Sequence, residues 1–276
     1  MPRQPQPSPF AARHARWTEL HARFGPARAY PYAWRLPELA RGEGRLASVR
    51  AALALSLTLY GLGRFPEALR NLSPDLFLEE DDAELAAAVD DLRRRCLWWM
   101  GEDIAPPPDV SPPGCPPAPA ALLRRAYFHF LSDRPLPPED TAWQAALAAD
   151  DFHGAWLTLL VYWSRLRVGQ PASATDAHAA LAALRRQAPA EAAHAAAVYA
   201  EAAFHLAPAL SLVWLEEALE QGERFGQHHL KVRLLHLKAR ALEAGGALRE
   251  ADRFLALARE WAARQGAWRV LRDMAL

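Results

Sequence analysis

Between residues 119 and 264, proline or glycine closes one apolar helical stretch after another: Pro137-Pro138, Gly169 with Pro171, Pro189, Pro208, Gly226 and Gly245-Gly246. Neither residue sits inside a helix without cost, proline because it lacks an amide hydrogen, glycine because it forfeits backbone entropy. Interruptions this short force consecutive helices to fold back on each other, so this half reads as a row of antiparallel helical hairpins. The rest agrees. Alanine, leucine and arginine dominate, β-branched residues are scarce, and no run alternates as a half-buried strand must. The chain is therefore expected to be all-α, with helices near 119–132, 139–149, 151–168, 174–187, 189–206, 208–222, 227–244 and 247–264.

The N-terminal part follows the same grammar. In "SPFAARHARWTELHARFG", Ser8 can cap, Pro9 suits the first turn, Phe10, Trp17, Leu20 and Phe24 share one face, and Gly25-Pro26 ends the helix. An irregular aromatic stretch follows (Tyr30, Tyr32, Trp34), then helices near 43–62, 65–72 and 81–100. Residues 105–119 hold eight prolines in fifteen positions, which no helix tolerates. That tract reads as a semi-rigid linker or an exposed loop. It divides the chain into an N-terminal segment, 1–104, with one hairpin, and a C-terminal helical array, 120–276.

With 276 residues and 51% hydrophobic content, the chain can bury a sizeable core. Two cysteines, Cys96 and Cys115, supply neither a disulfide framework nor a four-ligand zinc site. The start "MPRQPQPSPF" has no apolar centre for a signal peptide, and no stretch is long and apolar enough to span a membrane, so a cytoplasmic protein is expected. Net charge is zero, yet residues 1–50 hold nine Arg against three Glu, and residues 75–91 hold eight acidic residues and no basic one. These patches are solvated helix faces, mutual attractors or partner surfaces.

The stretch "LYGLGRFPEAL" (59–69) and its echo "LEAGGALREADRFLALA" (242–258) share one logic: an apolar helix, a glycine turn, a large apolar residue two positions later and an alanine three after that. Gly63, Phe65 and Ala68 correspond to Gly246, Leu248 and Ala251. The glycine allows the tight turn, the large residue fills the wedge between helices, and the alanine sits where backbones approach. With Ala239, or Ser56, as the small residue of the preceding helix, these positions resemble the tetratricopeptide repeat family. "DDFHGAWLTLL" is a weaker copy through Phe152 and Ala155, with Asp150 in place of glycine. "ALEQGERFG" (218–226) aligns with "AREWAARQG" (258–266) forty residues on, a spacing similar to degenerate repeats in sensor domains of large bacterial transcription activators. The resemblance implies a non-catalytic stack of hairpins, a TPR-like α-solenoid whose concave groove binds peptides, partner proteins or small ligands.

Glu191 with His194, and Glu201 with His205, have helix-borne metal-ligand spacing, but a di-iron bundle needs two Glu-x-x-His motifs and further carboxylates, and no second one is present. Asp150 near His153 reads better as a helix cap. No Gly-x-Ser-x-Gly, phosphate-cradling loop, Cys-x-x-Cys or His-Glu-x-x-His occurs, so neither catalytic residues nor a cofactor or metal are expected. Trp156 and Trp163 read as core. Adjacent Trp98 and Trp99 cannot both face inward on one helix, so one should meet another segment or a partner.

The leading expectation is a scaffold that binds a protein or peptide partner, with Trp99 and the basic strip Lys231, Arg233, Lys238 and Arg240 as contacts. The alternatives are a nucleic-acid-binding helical repeat, base processing included, which would use Arg13, Arg16 and Arg23, or a ligand-sensing regulatory module.

Overall fold

Ser8 caps the first helix as its position foretells, its hydroxyl accepting from the Ala11 amide at 3.2 Å with Pro9 in the first turn. The computed structural model describes residues 7–73, 82–107, 117–137, 141–149 and 151–274. Helix α1 (Pro9–Ala33) is two segments joined at Gly25, whose φ of 80° and ψ of 178° break the helical path. The expected stop is real, but Pro26 at once starts a second segment. Tyr30 and Tyr32, expected to be irregular, are therefore helical.

Short α2 (Leu36–Ala40), not foreseen, leads to α3 (Arg45–Gly61), α4 (Phe65–Arg70) and α5 (Ala83–Trp99). Past the proline tract come α6 (Pro119–Leu131), α7 (Thr141–Ala148), α8 (Phe152–Arg167), α9 (Ala174–Gln187) and α10 (Pro189–Leu206). A 3₁₀ turn (Pro208–Ser211) precedes α11 (Leu212–Phe225), followed by α12 (Lys231–Ala244), α13 (Leu248–Gln265) and a final unforeseen turn of helix, α14 (Trp268–Asp273). No strand occurs among the described residues, and no described helix is long and apolar enough to cross a membrane. Residues 74–81, which hold much of the acidic run, and 108–116, the middle of the proline tract, lie outside the described residues.

The two turn motifs have the same backbone. Gly63 and Gly246 sit at φ 74° and 81°, the left-handed region that favours glycine. Ala68 and Ala251 are buried, and Ser56 occupies the small position on α3, its hydroxyl donating to the Ala68 carbonyl at 3.1 Å. The wedge residues differ. Phe65 is 0% exposed because α5 covers it, with Trp99 stacked on its ring at 5.2 Å, whereas Leu248 is 61% exposed.

The packing follows chain order. α8, α10 and α12 pack in sequence, and α9, α11 and α13 each return against the helix before them, with α9 and α11 also touching the helix after. In the N-terminal part α1 packs on α3, α3 on α5, and α2 and α4 fill the steps between. The two parts then meet. α1 lies on α10 and α11, α6 bridges α5 and α8, and α14 touches α5. One apolar cluster runs from Phe10 to Met274, so the residues on both sides of the proline tract share a core.

The aligned glycines mark the meeting points. Gly226 and Gly266 both end their helices in left-handed geometry, φ 67° and 68°. A Cβ on Gly226 would lie 2.6 Å from the Cβ of Ala27, and one on Gly266 would lie 3.1 Å from Cγ of Pro66. Each turn thus receives the start of an N-terminal helical segment.

Candidate functional site

All five residues expected to contact a partner make contacts within the chain, Arg240 only through the Phe204 ring, 5.1 Å from its guanidinium. Trp99 is fully buried: it stacks on Phe65 and its indole donates to the Tyr60 hydroxyl at 3.2 Å. Its neighbour Trp98 is buried as well, under the Arg269 guanidinium at 5.3 Å. Both rings find cover because segments from opposite sides, α4 and the start of α14, close over α5.

Arg233 joins four helices. Its guanidinium holds both carboxylate oxygens of Glu201 on α10, at 2.6 and 2.5 Å, and donates to the carbonyls of Phe130 and Leu131 at 3.0 and 2.9 Å. Both lie in the last turn of α6, where carbonyls run out of helical donors; the Phe130 carbonyl also accepts from the Asp133 amide at 3.2 Å. Trp163 of α8 donates to the same Glu201 at 2.9 Å. Burial raises the Glu201 carboxyl, but the charge of Arg233 and the bonds to His205 and Arg233 more than offset that and hold it below the usual carboxylate range.

Lys231 pairs with Glu223 of α11 and lies 3.6 Å over the Trp261 ring of α13. Lys238 repeats the arrangement two turns on, with Glu216 at 2.9 Å and the Phe254 ring at 4.2 Å. The basic strip is thus a set of staples between α11 and α13, its charges taken by carboxylates and aromatic faces. Arg240 alone of the five is exposed, beside a cavity of about 410 Å³ between α12 and α13 that Ala239, Leu248 and Ala251 also line. In the N-terminal segment, Arg13 donates to the Tyr32 and Pro31 carbonyls, and Arg16 and Arg23 both flank Glu19.

Ligand atoms of Asp133, Glu201 and His205 lie within 4.8 Å of one another. Arg167 holds Asp133 through two bonds, at 2.6 and 3.0 Å, and Arg233 holds Glu201. Two guanidinium charges balance the two carboxylates there, and an ion would have to displace an arginine that also caps α6. Glu191 lies 3.8 Å from His194, whose ring faces Tyr127 and His229. Asp151 caps α8 by accepting from the Gly154 amide at 2.8 Å, while Asp150 lies outside the described residues.

The helices that an open groove would expose are instead buried against each other; α10 is covered on nearly every side. The open surface lies elsewhere. A groove of about 630 Å³ runs between α7 and α9 with α8 as its floor, within the roughly 300–1,000 Å³ range of ligand sites. Ala155, Thr158, Ala179 and Ala183 give it a small-residue lining, and Asp151, Asp176 and Arg186 are exposed on its rim. The sequence reading missed this site, although the run of alanines in "ATDAHAALAALRRQ" was the available signal. Comparison of the chain with protein families, curated proteins and solved structures finds no match.

Proposed function

We propose that this chain is a non-catalytic, tetratricopeptide-like scaffold, an α-solenoid closed on itself, and that the groove over α8 receives a helix of a protein or peptide partner. The observation that carries the reading is the mismatch between α7 and the helices beside it. Eight residues of α7 span about 12 Å, whereas the sixteen of α8 span about 24 Å, so among the described residues α7 lies along only part of α8, whose far end takes the Leu136 amide on Ser164 instead of a helix. Small side chains there let a second backbone approach closely, and a rim with both signs of charge suits a mixed-charge amphipathic helix.

Two substitutions test it: Ala179→Trp and Ala183→Trp fill the groove from α9. A partner retained from nuclease-treated cell extract by the native chain, and lost by both variants at unchanged melting temperature, supports the site. Retention that the tryptophans do not alter removes the groove from the proposal. Retention that disappears with nuclease moves the reading to nucleic acid.

A further inference from the structure

The imidazole of His229 is 2% exposed and sits where the N-terminal and C-terminal helices join. Its backbone makes the joint: the amides of His228 and His229 both donate to the Gly61 carbonyl at the end of α3, at 2.6 and 3.2 Å. From the other side, Gln265 of α13 donates to the His228 carbonyl at 2.8 Å. The His229 ring packs against Tyr60 of α3, with centroids 4.9 Å apart, and stands perpendicular to His194 of α10 at 4.4 Å.

The nitrogen contacts set a limit on protons. Nε2 of His229 lies 3.3 Å from Nε2 of His194, which also meets the Tyr127 hydroxyl at 2.7 Å. One proton can sit between the two facing nitrogens. The other nitrogen of His229, Nδ1, is buried and has no hydrogen-bond partner among the described residues. If Nε2 carries the proton of the neutral ring, a second proton on Nδ1 creates a buried donor without an acceptor. If Nδ1 carries it, that donor is already unpaired, and a second proton on Nε2 holds His194 to the tautomer with its own proton on Nδ1, towards Glu191. Either way the charged ring keeps a buried Nδ1 donor with no acceptor among the described residues.

The surrounding groups do not relieve this. α5 brings Arg95 and Asp91, but these are paired with each other at 2.5 Å, and the guanidinium lies 4.2 Å over the Tyr127 ring of α6. α1 brings His21 and α3 brings Tyr60; α8 brings only the neutral ring of Trp156, against His194. The carboxylate of α10, Glu191, faces His194 rather than His229. His228 adds another potential cation next door. Burial, then the neighbouring His194 and Arg95, hold His229 well below the ordinary histidine range, and burial lowers His194 against the pull of Glu191.

We propose that His229 is a proton-operated latch, closing the joint between the end of α3 and the start of α12 while neutral and releasing the N-terminal helices from the C-terminal hairpins when protonated. The sign follows from the depressed native value. Above about pH 6.5 the ring is neutral in folded and unfolded chains alike, and the joint keeps its full stability. As pH falls below that, the unfolded or opened chain gains a proton that the closed joint refuses.

The test is a histidine-resolved NMR titration of the full chain from pH 7.5 to 5, alongside urea unfolding of native protein and His229→Gln at each pH. The latch requires the His229 ring to stay neutral in the folded chain down to pH 5.5, and the amide signals of His228 and His229 to be lost before the rest. It also requires the native folding constant to fall more steeply than that of His229→Gln, by about fivefold between pH 6.5 and 5.5 for the one proton. A ring that titrates near pH 6.5 in the folded chain overturns the latch, as do parallel slopes for the two proteins. Should His229→Gln not fold, the ring titration and the order of signal loss in the native chain decide alone.

Discussion

Removing the Glu201 carboxylate strands the charge of Arg233 at the meeting of α6, α8, α10 and α12. The Arg233 side chain is 14% exposed and Glu201 3%, so water can do little to solvate what remains. Breaking a buried pair of this kind costs about 3–5 kcal/mol, and Glu201→Leu should fall in that range. Arg233→Met should cost a similar amount, because it leaves a buried carboxylate and takes the donor from the Leu131 carbonyl, worth roughly 1–3 kcal/mol when unsatisfied, while the Phe130 carbonyl keeps the Asp133 amide. The double variant Glu201→Leu/Arg233→Met buries no unpaired charge. It should cost far less than the sum of the singles, leaving a coupling of about 3 kcal/mol in a double-mutant cycle followed by urea unfolding. The depressed Glu201 carboxyl adds a pH signature: its contribution is full above the unfolded value near 4.3 and is lost as pH falls through the lower folded value. Single-variant costs that add to within about 0.5 kcal/mol, or fall below about 1 kcal/mol, would refute the reasoning.

The glycines offer a controlled comparison. Gly246→Ala meets nothing within 4 Å and should cost only the left-handed backbone penalty, about 1–2 kcal/mol, whereas Gly226→Ala adds a 2.6 Å clash with Ala27 and should cost clearly more in the same unfolding assay. In the paired turn motifs, Ala68→Leu should destabilise by about 1–3 kcal/mol through overpacking, while Leu248→Ser, on a side chain open to solvent, should stay within about 0.5 kcal/mol. Equal costs within either pair would contradict the packing described above.

The helices and their ends could be read from the sequence because caps, prolines and glycines act over a few residues. Thus 174–187 and 189–206 were bounded correctly, and the 218–226 and 258–266 copies end in matching left-handed glycines. What was hidden depends on distant segments. Arg233 looks like one more cation on a polar strip, and only the arrival of Glu201 and the end of α6 makes it internal. A hint was present in "AAAVYAEAAFHL", where a lone carboxylate in an apolar helix asks for a buried cation. Trp99 was misjudged for the same reason, since helical geometry says nothing of the α4 ring that covers it. The groove over α8 depends on the relative lengths of α7 and α8, and boundaries near 139 and 149 had to be placed within a few residues to expose it.

The docking of Ala27 on the Gly226 turn and of Pro66 on the Gly266 turn sets two rulers side by side. The receiving turns are forty residues apart, and the docking residues thirty-nine. An open row of hairpins can gain or lose a unit anywhere, because each touches only its neighbours. Here a hairpin inserted between Gly226 and Gly266 would carry one turn out of reach while the other stayed engaged. The same would follow from an insertion between Ala27 and Pro66. A change in length inside either interval therefore undoes one of the two docks, and one outside them leaves both in place.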